Sequence, residues 1–171
     1  MDLQIRPARP EDAPGLAELL NAIIARGGTT ALEDPFTPQA LDRAYLTGPD
    51  VICCFVAVER PEDGDGGRNA GFQTLGRYHG LPRDVGDIGT FARVGGTGRG
   101  VGAALFAATA AEARRQGLTA INATIRADNT GGLAFYSRMG FVDFSVRAAV
   151  PLKDGTPVDR VNKRYDLRPG A

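Results

Sequence analysis

Residues 94–104 read VGGTGRGVGAA, and five glycines fall in the eight positions from Gly95 to Gly102. A strand-like run, 87–93, ends just before this stretch. An alanine-rich pattern with helical spacing begins inside it and continues to about Gln116. Strand, glycine turn and helix N-terminus together suit a phosphate. The turn lets backbone N–H groups face one point, and the first helical turn adds unpaired donors and a partial positive charge. A P-loop needs Gly-x4-Gly-Lys-Ser/Thr. Gly95 and Gly100 have that spacing, but Val101 and Gly102 stand where Lys and Ser/Thr belong, so a P-loop is excluded. A dinucleotide fingerprint is met by Gly98, Gly100 and Ala103. The strand that should carry a ribose-binding acid reads Leu118-Thr119-Ala120-Ile121-Asn122, however, and the first half of the chain lacks repeated βαβ units.

A second stretch decides the matter. Thr97-Gly98-Arg99-Gly100-Val101-Gly102, followed by an amphipathic helix, resembles motif A of the GNAT superfamily of N-acetyltransferases, usually Gln/Arg-x-x-Gly-x-Gly/Ala. Residues 127–141, ADNTGGLAFYSRMGF, resemble motif B of the same superfamily. Asn129 precedes a helix carrying Tyr136, and Gly140-Phe141 opens the next strand. The resemblance is strongest over 70–150, toward the amino-acid-type enzymes, and the order of elements matches across essentially the whole chain. Thr97 departs from the usual Gln or Arg. That change weakens a side-chain contact to the cofactor rather than abolishing the site, because backbone N–H groups hold the pyrophosphate.

The resemblance implies direct transfer of an acetyl group from acetyl-CoA to a primary amine, and it assigns residues to each task. Thr97, Gly98, Arg99, Gly100, Val101 and Gly102 cradle the pyrophosphate. Phe91, Ala92 and Val94 offer backbone groups to the pantetheine arm, and Asn129 meets it from the other side. As a bare residue, Asn129 reads equally as a helix cap. Tyr136 matches the acid that protonates the leaving thiolate. Asp87 is the nearest match to the group that deprotonates the amine. The loop 27–35, with Glu33 and Asp34, and the turn carrying Arg77, His79 and Arg83 lie where the superfamily binds its acceptor. Arginines there suit a carboxylate, hence an amino acid or related small amine. With no nucleophilic Cys or Ser constellation, a covalent intermediate is not expected. The resemblance also implies pairing as a homodimer. The rival reading is an acyl-CoA-binding sensor or interaction module, which would need the glycine turn but neither Tyr136 nor Asp87.

Eleven elements must position these residues. Alternation or apolar runs mark strands at 3–6, 51–58, 70–78, 87–93, 118–125, 141–150 and 158–167. Helical spacing marks one helix from Glu11-Asp12 to Arg26 and a short one after Thr37-Pro38. A third runs from the glycine turn to Gln116, and a fourth covers 133–139. The expected fold is α/β: one domain over 1–171, with a mixed, mostly antiparallel sheet of about seven strands flanked by about four helices. Twenty basic residues balance twenty acidic ones, so no footprint for nucleic acid or an anionic membrane is expected. Cys53 and Cys54 are adjacent on a strand and point to opposite faces, so neither a disulfide nor a metal site is expected from them. Together with the lack of an apolar leader or membrane span, they lead to a reduced, cytoplasmic setting as the expectation.

Overall fold

In the computed structural model, residues 2–64, 66–96 and 100–170 are described. Seven strands form one sheet in the order β1-β2-β3-β4-β5-β7-β6. They are β1 (Asp2–Pro7), β2 (Val51–Arg60), β3 (Arg68–Gly76), β4 (Val85–Ala92), β5 (Ala120–Arg126), β6 (Val142–Pro151) and β7 (Pro157–Asp166). Every neighbouring pair is antiparallel except β4 and β5. Four helices, α1 (Ala13–Arg26), α2 (Pro38–Leu41), α3 (Val101–Arg115) and α4 (Thr130–Arg138), complete the expected set.

The local reasons are those of the sequence, with some shifts. Asp12 heads α1 because Arg6 grips its carboxylate with two hydrogen bonds, 2.8 and 2.7 Å, and the Arg9 N–H adds a third at 2.8 Å. The Arg6 hydrogen bond holds the Asp12 carboxyl below the usual range. Thr37 caps α2, its Oγ1 accepting from the Ala40 N–H at 3.1 Å, with Pro38 in the first helical position. The pattern beyond α2 does not stay α-helical. Residues Asp42–Leu46 widen into a π turn, with the N–H groups of Thr47 and Gly48 both bonded to the Asp42 carbonyl. β4 begins at Val85, two residues before the expected start, so Asp87 is its third residue. Pairing with β5 at Val85 and Gly86 carries the strand back into the turn.

The core has two faces. Leu16 and Leu20 of α1, both fully buried, pack with Leu41 of α2 against Cys54, Val56 and Val58 of β2 and Phe72 of β3. Each such leucine contributes about 1.5–3 kcal/mol by leaving water. A second cluster joins Phe106, Ala110 and Ala113 of α3 to Tyr136 of α4, Ile121 and Ala123 of β5, and Phe141. Cys54 belongs to the first cluster and Cys53 packs on the second, so the two thiols do face opposite ways, and both are free. Burial pushes the Cys53 thiol up to about 12, which makes it inert at neutral pH. Among the described residues, no helix is long and apolar enough to cross a membrane.

Candidate active site

The site starts from a defect in the sheet. β4 and β5 pair over three residues only: Val85, Gly86 and Asp87 lie against Ala120, Ile121 and Asn122. Beyond them β4 stays bonded to β3 as far as Ala92, and β5 stays bonded to β7 as far as Arg126. The two strands part into a wedge whose facing edges are left without a strand partner. The Tyr136 side chain packs there, in one cluster with Ile88 of β4 and Ala123 and Ile125 of β5. A cavity of about 640 Å³ occupies the wedge. That is within the ~300–1,000 Å³ of ordinary ligand sites.

Phe91, Ala92, Val94, Asn129 and Tyr136 all line the cavity. Asp87 and Arg77 also line the cavity, while Glu33 and His79 do not. His79 sits exposed in the turn after β3. The Glu33 carboxylate turns away to accept the Lys153 N–H in the β6–β7 turn, at 3.2 and 3.0 Å, and Asp34 pairs with the Lys153 side chain. The loop 27–35 still roofs the cavity, through Thr29, Thr30, Ala31 and Leu32. Two donors pin that roof: Arg126 Nη1 to the Thr30 carbonyl at 3.1 Å and Asn129 Nδ2 to the Thr29 carbonyl at 2.8 Å.

Asn129 also caps α4, its Oδ1 accepting the Gly132 N–H at 2.9 Å. Its amide therefore does two structural jobs at the cavity edge. At the other helix, Gly100 adopts φ +87° before α3, a conformation that side chains rarely adopt. Among the described residues no side chain caps α3, so the N–H groups of its first turn suit an anion. Val101 is buried beneath the helix. Gly102 has a packing reason: a Cβ there would come within 2.6 Å of the Phe135 ring on α4. Thr97, Gly98 and Arg99 lie outside the described residues.

Tyr136 is 6% exposed, and its hydroxyl lies 2.9 Å from Thr90 Oγ1. Gln73 Nε2 donates to the same Thr90 oxygen at 2.9 Å. When the Thr90 proton points at Tyr136 Oη, the phenolic proton is free to be given to a group in the cavity. Burial pushes Tyr136 up to about 12, with the Thr90 hydrogen bond acting in the opposite direction. Such a phenol stays protonated at neutral pH until charge develops beside it. Asp87 is raised above the ordinary carboxylate range, chiefly because burial penalises its charge. The Asn122 Nδ2–H, at 2.9 Å, and the nearby Arg164 charge work against that rise.

Sequence reasoning did not single out Thr90, Gln73, Asn122, Arg164 or Tyr45. Gln73 and Asn122 carried a signal, because each is a polar residue inside an apolar strand run, which in a buried strand demands a partner. Arg164 carried none. Asn122 finds its Arg164 donor, at 2.8 Å, only because β7 folds back beside β5.

The wedge between β4 and β5, the glycine turn before α3 and the cavity lined by Tyr136 and Asp87 belong to a chain of the acetyltransferase class. The chain belongs to the acetyltransferase (GNAT) family, whose model matches residues 21–141. Solved structures agree on the fold. An N-acetyltransferase from Staphylococcus aureus Mu50 superposes with a TM-score of 0.80 at 19% identity, over 98% of this chain and 100% of that one. A phosphinothricin acetyltransferase from Sinorhizobium meliloti, solved with acetyl-CoA, gives 0.80 at 18% identity, over 100% of this chain and 91% of its own. A GNAT-family acetyltransferase from Streptococcus pneumoniae gives 0.76 at 18% identity, over 98% and 100%. No curated protein sequence matches the chain.

Proposed function

We propose that this chain, as one domain over 1–171, is an N-acetyltransferase. It would move the acetyl group of acetyl-CoA directly to the primary amine of a small molecule, an amino acid or a related amine. The observation that carries this reading is the wedge cavity, which has Tyr136 and Asp87 on its lining. The residues present fit acetyl-CoA. The uncapped first turn of α3 suits a pyrophosphate, and the open edges of β4 and β5 suit an extended arm bearing amides. The acetyl-CoA complex of the Sinorhizobium relative supports the same choice.

Bound acetyl-CoA would supply an acetyl group activated as a thioester. In this reading Asp87 Oδ takes a proton from the substrate ammonium, directly or through one water, and leaves a nucleophilic amine. A raised carboxyl is a better base for that step than an exposed one. As the C–S bond breaks, Tyr136 Oη gives its proton to the departing sulfur, and the Thr90 hydroxyl steadies the phenolate that remains. Arg77 at the cavity rim, and Arg26, which has no hydrogen-bond or ion-pair partner among the described residues, suit a substrate carboxylate.

Thermal denaturation with CoA, acetyl-CoA and NAD, followed by thiol release across an amine panel, tests this. Acetyl-CoA at about 100 times its Kd should add ~2.7 kcal/mol, which raises the midpoint by ~5–10 °C. NAD should add nothing. A shift with NAD alone would revive dinucleotide binding. A CoA shift without thiol release on any amine would favour the sensor reading.

The homodimer belongs to this proposal too. The edge strand β6 exposes Val142, Phe144 and Val146 to 65%, 62% and 62%, an unusual load of apolar surface for an open edge. Sedimentation equilibrium should give a dimer that Val146→Lys converts to monomer. A monomer at tens of micromolar before substitution would end the idea. The two free thiols suit a reducing compartment, and a cytoplasmic location completes the reading.

A further inference from the structure

Three side chains lie in one row across three strands. Asp87 of β4 is in register with Asn122 of β5, and Asn122 with Arg164 of β7. Asn122 Nδ2 donates to Asp87 Oδ1 at 2.9 Å, and Arg164 Nε donates to Asn122 Oδ1 at 2.8 Å. The amide has one workable orientation. Flipped, its oxygen would face the carboxylate and its N–H groups would face the guanidinium, two repulsive pairs at once. A second amide hydrogen bond, to Thr124 Oγ1 at 3.1 Å, holds the same orientation. Asn122 is 3% exposed, so water does not compete for these bonds.

The outer end of the row is fixed as well. The Arg164 guanidinium carbon lies 4.0 Å from the centroid of the Phe144 ring on β6. Among the described residues, neither Arg164 nor Asp87 forms an ion pair with another side chain. Among the described residues, the Arg164 side chain hydrogen-bonds Asn122 alone, and through that single amide its charge reaches the half-buried Asp87 carboxylate.

We propose that Arg164 is a positioning residue, which acts through Asn122 to hold the Asp87 carboxylate in place and in its charged, proton-accepting form. The proposal rests on the reading of Asp87 as the base. It adds a control point on β7, one strand beyond the wedge and outside the residues that line the cavity. The other ionisable groups around Asp87 do not duplicate it. Tyr45 of the π turn and Tyr136 of α4 feel the Asp87 charge but are neutral at working pH. The charged side chains Asp50, Arg26, Arg77, Arg93 and Arg126 line the same cavity, and none of them hydrogen-bonds Asp87; Arg126 is engaged by Asp128 and the Thr30 carbonyl.

The sign of the effect follows. Arg164 favours the charged carboxylate, so its removal drives Asp87 further up; as the pH falls, a base that must be deprotonated then begins to lose activity at a higher pH than in the parent. Arg164→Met removes both the charge and the hydrogen bond. Arg164→Gln keeps a donor for Asn122 without the charge, and it stands in should the Met variant not fold. Arg164→Lys restores the charge. The Asp87 carboxyl is followed by carbon-13 NMR titration of the free protein, with Asp87→Asn to assign the signal, and the kcat/KM profile is recorded beside it. An upward move of ~1 pH unit in the Asp87 titration is expected with Met or Gln, largely reversed by Lys. The acidic limb of kcat/KM should move by the same amount while near-UV circular dichroism stays unchanged. An unmoved Asp87 titration in a folded Met or Gln variant overturns the proposal. A titration that moves while the acidic limb stays fixed supports the Arg164–Asp87 link and removes Asp87 from the role of base.

Discussion

Tyr136→Phe should lower kcat by about 10²–10⁴-fold while leaving the fold intact. The phenyl ring keeps every packing contact of the tyrosine, including the T-shaped contacts with Phe135 and Phe141, both at 5.0 Å between centroids. What is lost is the hydroxyl. Its hydrogen bond to Thr90 costs about 0.5–1.5 kcal/mol when removed, and Thr90 keeps its bond from Gln73. The thermal midpoint should therefore fall by only a few degrees, and the acetyl-CoA-induced shift should survive. The thiolate would then have to leave without a positioned acid. Stopped-time thiol release at saturating substrate measures this directly. A variant as active as the parent would take Tyr136 out of the chemistry.

Among the described glycines, Gly48 should be the costliest to change to alanine. A Cβ at this position would sit 1.6 Å from the carbonyl oxygen of Arg43 and 2.5 Å from its carbon, both backbone atoms. Neither can rotate away, so the π turn itself must open. Opening it sacrifices the bonds from the Thr47 and Gly48 N–H groups to the Asp42 carbonyl, 3.0 and 3.2 Å, and the Thr47 hydroxyl bond to Asp42 Oδ1 at 2.6 Å. Ordinary overpacking costs ~1–3 kcal/mol, and a backbone collision belongs at or above the top of that range. A loss of about 3 kcal/mol lowers the midpoint by ~6–12 °C in a chain of this size. The damage should also reach the site. Tyr45, inside the turn, lines the cavity, stacks 6.1 Å from Phe91 and accepts the Thr74 hydroxyl with its carbonyl at 2.7 Å. KM for the amine should rise along with the loss of stability. An unchanged midpoint would mean that the turn relaxes at no cost.

Gly48 also illustrates what a sequence can and cannot carry. As Gly48-Pro49 it marked the end of a helix, which is correct as punctuation. That the glycine is demanded by Arg43 reaching over it is a property of a π turn, and no local pattern announces one. The strands were legible because their apolar runs are bounded by Pro, Gly and Asp, and the family because Asn129 and Tyr136 fall in register behind the glycine turn. Asp87 was legible as an acid near β4 but not as the third residue of the strand, because the start of β4 is set by β5. Glu33 was placed with the acceptor loop, which is where it stands in the chain. Its carboxylate is drawn off by a backbone N–H 120 residues later, at Lys153. Asn129 was open to two readings, helix cap or cofactor contact; its amide makes the capping bond and also a bond to the roof that the sequence did not announce.

The wedge has a consequence for keeping the protein dispersed at high concentration. A sheet that parts in the middle has four edges rather than two, and unpaired strand edges invite strands from other chains. The outer edges can be blunted by charge or proline. The inner pair cannot be treated this way without closing the cavity to an extended ligand. The roof over 27–35 answers the problem by shape. Held down by Arg126, Asn129 and the Glu33–Lys153 clasp, it covers part of the gap between the unpaired edges of β4 and β5. Weakening that clasp is then expected to uncover unpaired strand edge while leaving every reacting group in place, so the loss would be read as aggregation at high concentration rather than as lost turnover.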